Sequence, residues 1–200
     1  MEETLIPFVV LSVLIDEARR VLGRRGLIAL LRRAGLDAYV DAPPPSAHVP
    51  PVPIVHWAQL VAAVHDAFDP RAAHDLLWRA GESASIALRR PTPARVAGTA
   101  LRLLPADRRL RLALERLAAQ GEDVYGTPHH LEEEPSAFFV TLHACPHCSA
   151  VTRRMPRPVC HTASAWIADS VEWAMGEKHL VEEVACIAAG GVACRFRVAR

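Results

Sequence analysis

Cysteine is missing from the chain before Cys145, and lysine is missing everywhere except Lys178. Arginine supplies the remaining basic residues, a compositional bias with no functional reading. Acidic and basic residues nearly balance, at a formal net charge of +1, so bulk charge points to neither nucleic acid nor a membrane surface as a partner. No apolar run can span a bilayer. The longest, residues 5–15, contains Pro7 and Ser12. It follows Glu2 and Glu3, the wrong charge for the start of a signal peptide. These absences place the protein in the cytoplasm, with no membrane span.

Other absences concern chemistry. There is no G-x-G-x-x-G, and Gly23 and Gly26 have the wrong spacing for one. A self-contained nucleotide-dependent reductase is therefore disfavoured. The run Gly81-Glu82-Ser83-Ala84-Ser85 lacks the second glycine of a nucleophile elbow. His129-His130 with Glu132-Glu133-Glu134 reads as a solvated turn. Residues 89–116 carry eight arginines, but no aromatic residue interleaves with them, and they read as a solvated helix face. No internal repeat is present.

What is present fits a folded protein. Hydrophobic residues make up 51% and charged residues 22% of 200 residues, enough for one domain with a real core. Apolar spacing predicts helices over 8–22 and 27–34, punctuated by Gly23, Gly26 and Gly35. A loop with six prolines follows over 41–53. Further helices are predicted over 55–68, 72–88 (entered through Asp69-Pro70), 95–104 and 107–119. After Gly121 the pattern changes. Residues 138–142 are β-rich, 132–136 look like a turn, and 159–175 read as a helix closed by Gly176. Segments 180–188 and 192–198 form a β-hairpin around Ala189-Gly190-Gly191. The fold class is α+β: N-terminal helices over 1–120 packed on a small antiparallel sheet over 121–200, with one inserted helix and a C-terminal hairpin, all in one domain. On the inserted helix, Trp166, Ile167, Ser170 and Val171 share an apolar stripe that is either core or the lining of a ligand pocket.

The five cysteines are an odd number, so a closed disulfide framework is unexpected. In a reducing compartment, clustered cysteines more often bind metal or do redox work. Cys186 and Cys194 flank the hairpin turn and become cross-strand neighbours, close enough to share one tetrahedral zinc. Cys160 joins them from the start of the inserted helix, whose N-terminal dipole favours a thiolate. The fourth ligand is open on spacing alone. Glu183 lies three residues before Cys186 and points to the opposite face of a regular strand, so it can join only if the strand is bulged. Cys148, His161 and water are the other candidates. Cys145-Pro146-His147-Cys148 is either a second metal knuckle or a redox pair. The proline-bearing segment after it is a poor helix, which argues against a thioredoxin-like context.

The run Arg157-Pro158-Val159-Cys160-His161, the ending Glu183-Val184-Ala185-Cys186 with its small-residue turn, and Cys194-Arg195-Phe196 together resemble the 4-vinyl reductase domain family. Cys-Pro-x-Cys ahead of Pro-Val-Cys is also similar to many of its members. The resemblance implies the fold shared by the ligand-binding domains of phenol-sensing activators and by Golgi transport-particle subunits. It implies a zinc held by Cys160, Glu183, Cys186 and Cys194, and with Glu183 a bend in that strand. Val192 stands where members usually carry Asp, a departure in the turn and not in the ligands. The function implied is a zinc-stabilised sensor or carrier, a homodimer, binding a small apolar, aromatic or tetrapyrrole-like ligand. The alternative is a reductase or accessory protein acting on the vinyl group of a bacteriochlorophyll precursor.

Overall fold

The computed structural model describes residues 4–41, 50–89 and 104–200. The expected helix over 95–104, most of the proline-rich loop and part of the arginine-rich stretch lie outside these residues.

The first helix, α1 (Phe8–Arg33), is broken at Gly23, whose φ of 66° no helix interior adopts. The two predicted helices are therefore one run with a kink at the glycine. A short strand before it, β1 (Leu5–Ile6), pairs antiparallel with β2 (Val52–Pro53). Helix α2 (Ile54–Ala67) follows. Helix α3 (Pro70–Leu88) is capped by Asp69, whose carboxylate accepts from the backbone N–H groups of Arg71 and Ala72 at 2.9 and 3.1 Å. Helix α4 (Ala106–Tyr125) runs past Gly121, the expected end of the helical half, and stops at Gly126 with φ 65°. Gly121 sits inside the helix because the His129 ring fills the space a side chain would take; a Cβ there would lie 2.5 Å from Nε2.

The second half is a four-stranded antiparallel sheet in the order β3-β4-β6-β5. Strand β3 (His130–Glu134) corrects the expected turn over 132–136. Its glutamates have low strand propensity, but pairing with β4 (Ala137–Leu142) overrides it, and charge suits an edge strand. Only the Pro135-Ser136 link turns. Helix α5 (His161–Met175) begins two residues later than expected, with Cys160 at its N-cap. Strand β5 (Val181–Ala185) is also shorter than expected, because residues 187–189 wind into a 3-10 turn. Strand β6 (Cys194–Ala199) closes the sheet between β4 and β5.

Two cores result. One joins α1, α2 and α3 around Leu11, Leu14, Trp57, Leu60 and Leu77. The other lies between the sheet, α4 and α5, with Phe138, Val140, Trp166, Ile167, Phe196 and the cysteines. Helices α3 and α5 join them at close range: a Cβ on Gly81 would lie 2.3 Å from the Thr162 carbonyl oxygen. The far face of β4 is covered by charge. The Arg195 guanidinium stacks 3.7 Å over the Phe139 ring and pairs with Glu132 and Glu134. No helix among the described residues is long and apolar enough to cross a membrane.

Candidate metal centre

All five cysteines meet in one buried place, each at most 3% exposed. Each is delivered by a different piece of local structure. Pairing of Leu142 with Cys194 brings the end of β4 beside the start of β6. The turn that follows β4 therefore carries Cys145 and Cys148 to the cluster. Cys160 arrives at the N-terminus of α5. Cys186 ends the β5 strand, one residue beyond the last paired position.

Glu183 reaches the same place through an irregularity. The register of β5 on β6 shifts between Glu183 and Ala185: Glu183 faces Phe196, while Ala185 faces Arg195. The extra residue, Val184, is half exposed. A bulge of this kind returns Glu183 to the side that Cys186 occupies. It is the distortion a regular strand would have needed for the two to meet.

The sulfur separations are informative. Cys160 Sγ lies 3.8 Å from that of Cys186 and 3.6 Å from that of Cys194, and the last two are 4.0 Å apart. Thiolates on a tetrahedral zinc, with bonds of about 2.3 Å, stand roughly 3.8 Å apart. Donor atoms of Cys160, Glu183, Cys186 and Cys194 all lie within 4.8 Å of one another. The same holds for Cys145, Cys148, Cys160 and Cys194.

Protonation within the cluster is uneven. Burial pushes the Cys145 and Cys160 thiols up. Hydrogen bonds from Cys145, and then from the other sulfurs, pull Cys148 down. Cys148 raises Cys186, but Cys160 and Cys194 outweigh it and bring that thiol to about 6. Burial, reinforced by Cys186, pushes the Glu183 carboxyl up to about 9. One of its oxygens, Oε2, accepts from the Cys160 N–H at 2.7 Å, while Oε1 is buried with no partner. A buried carboxylate oxygen facing thiols without a donor fits a site built to receive a cation. The soft sulfur donors suit zinc.

The other expected residues are placed as follows. Trp166, Ile167 and Val171 are buried in the second core, and Ser170 shares a 3.0 Å hydrogen bond with Ser85 of α3. Two surface clefts, one along α3 and one between α1 and α3, include none of them. His161 faces His74 and His65, not the sulfurs. Sequence reasoning missed His147. It is buried between Trp57 and Tyr125, with ring centroids at 5.7 and 4.9 Å. Its Nδ1 bonds Thr162 Oγ1 at 2.8 Å, and its Nε2 has no partner. Burial pushes its pKa down to about 3. Only its place inside the Cys-x-x-Cys turn could have signalled it.

Comparison with known proteins agrees with this geometry. The family model of the 4-vinyl reductase (V-4-R) domain matches residues 138–200, the span that carries the cluster. No curated protein matches in sequence. In fold the chain is similar to an Fe(II) unliganded H-NOX protein from K. algicida, at a TM-score of 0.59 and 10% identity, covering 97% of this chain and 95% of that one. It is similar to an S. oneidensis H-NOX protein in the Fe(II)NO state, at 0.53 and 13%, covering 95% and 96%. It is likewise similar to the IWP-051-bound H-NOX from Shewanella woodyi in the Fe(II)CO state, at 0.52 and 12%, covering 96% and 92%. The chain thus has the fold of the H-NOX domains along its length, and its segment 138–200 belongs to the 4-vinyl reductase domain family that its cysteine pattern resembles.

Proposed function

We propose that this protein is a zinc-stabilised domain that binds a small apolar or aromatic molecule, as a sensor or carrier, and works as a homodimer. The observation that carries the reading is the closed set Cys160, Glu183, Cys186 and Cys194. Four protein donors leave a tetrahedral zinc no open position for substrate, so the metal's part is structural. It ties the N-terminus of α5 to the hairpin and fixes the second core. Similarity to H-NOX structures, which are described in Fe(II)NO and Fe(II)CO states, supports ligand binding by this fold.

The place for the ligand is the seam between the two cores. Trp57, Tyr125, His129, His147 and Trp166 fill it with ring-to-ring contacts. Apolar rings around one unpartnered nitrogen, His147 Nε2, suit an aromatic ligand bearing a single hydroxyl. A one-ring molecule needs less opening of this packed seam than a tetrapyrrole.

A thermal-shift screen of phenols and porphyrins tests the reading. A binder at about a hundredfold its Kd contributes about 2.7 kcal/mol, which at this chain length raises Tm by roughly 5–10 °C. Quenching of Trp57 and Trp166 fluorescence should accompany it. A screen in which nothing shifts Tm would count against ligand binding. Light scattering that finds only monomer would remove the homodimer from the proposal.

A further inference from the structure

We propose that the cluster takes two zinc ions, bridged by the sulfurs of Cys160 and Cys194. This rests on the reading that Cys160, Glu183, Cys186 and Cys194 hold zinc, and goes beyond it by assigning Cys145 and Cys148 to a second ion.

The two sets of four donors are not separate sites. They share Cys160 and Cys194 and differ in their outer pairs: Cys145 with Cys148 in one, Glu183 with Cys186 in the other. Two tetrahedra joined along one edge have this arrangement. The shared edge must lie between the outer pairs, and it does. Cys160 Sγ is 3.6 Å from Cys145 and 3.8 Å from Cys186. Cys194 Sγ is 3.5 Å from Cys148 and 4.0 Å from Cys186. The edge itself is 3.6 Å long. Every one of these lengths is close to the sulfur separation that zinc imposes, about 3.8 Å. An iron–sulfur cube would hold its thiolates outside the metals and further apart.

A single ion cannot account for all six residues. Placed in the Glu183 set, it leaves Cys145 and Cys148 as buried thiols against anionic sulfur, without a cation of their own. Placed in the other set, it leaves Glu183 Oε1 without a partner. Two ions satisfy both. The charge also balances: the second zinc enters as a dication while the Cys145 and Cys148 thiols each lose a proton to solvent. The net charge of the buried cluster is then the same with one ion or two. Local donors face the bridging residues. The Ile187 N–H points at Cys194 Sγ at 3.4 Å, and Cys160 sits at the positive end of α5.

The test is metal stoichiometry on the full chain, purified reduced and without oxygen, with cadmium substitution as a second readout. About two zinc ions per chain are expected. The cadmium form should give two ¹¹³Cd resonances coupled to each other through the shared sulfurs. Cys145→Ser with Cys148→Ser should keep one ion, and Cys160→Ser should lose both. One zinc per chain in the unaltered protein, or two uncoupled cadmium resonances, overturns the bridged pair and leaves the single structural zinc standing. No metal at all overturns both. The cadmium spectrum of the unaltered chain decides even where a variant does not fold.

Discussion

The backbone N–H of Cys160 donates to Glu183 Oε2 at 2.7 Å. This one bond joins the first turn of α5 to the bulged strand β5, and it orients the carboxylate so that Oε1 faces the sulfurs.

Replacing Glu183 should therefore act in two steps. Glu183→Gln keeps an acceptor for the Cys160 N–H but removes the charge, and should weaken zinc affinity by at least about tenfold, or about 1.4 kcal/mol. Glu183→Ala also leaves that N–H without its acceptor and should cost a further 1–3 kcal/mol or so. Competition with a chromophoric chelator and denaturant titration separate the two effects. Equal behaviour of the two variants would contradict the double role.

Gly81→Ala should destabilise the protein without touching the metal. The new methyl would press on the Thr162 carbonyl and the Ala165 methyl where α3 crosses α5. Overpacking of this kind costs about 1–3 kcal/mol, or roughly 2–12 °C in Tm. Unchanged Tm would show that the helices separate more easily than this contact implies. Val192→Asp is the matching control. Val192 is 93% exposed, so the change should leave both Tm and zinc content unaltered.

Acid should destabilise the fold through its buried histidines. Burial lowers His129 and pushes His147 down to about 3. Both are neutral when folded, and the unfolded chain takes up their protons below about pH 6.5. Their contribution is thus complete above that pH and is lost as pH falls toward the folded values. Denaturant titrations from about pH 7 to about pH 5 should show stability falling. His129→Gln should flatten that slope, because an amide does not titrate; an unaltered slope would remove His129 from the account.

Much of this site could be read from residue spacing. Cys186 and Cys194 flank a glycine turn, and Gly190 does adopt a left-handed φ of 98°. The helix beginning near Cys160 was evident from its apolar period. The resemblance to a known family supplied Glu183, because strand parity alone turns that residue away, and no local signal marks a bulge at Val184. Strand β3 was hidden by its glutamates, whose place is fixed by pairing with β4 and by Arg195, contacts made far along the chain. The meeting of Cys145 and Cys148 with the other three cysteines was likewise tertiary. It depends on Leu142 pairing with Cys194, a register that sequence periodicity does not specify.

Elemental analysis of the untagged protein beside a Cys186→Ser variant tests the central claim most directly. The unaltered protein should carry zinc, and the variant should lose the ion bound through Glu183 and Cys186, with Tm lower by roughly 6–12 °C for a loss of about 3 kcal/mol. Absorbance of the same samples would reveal any co-purified pigment. An unaltered protein that is folded and free of metal, with the same Tm as Cys186→Ser, would contradict a zinc-stabilised fold.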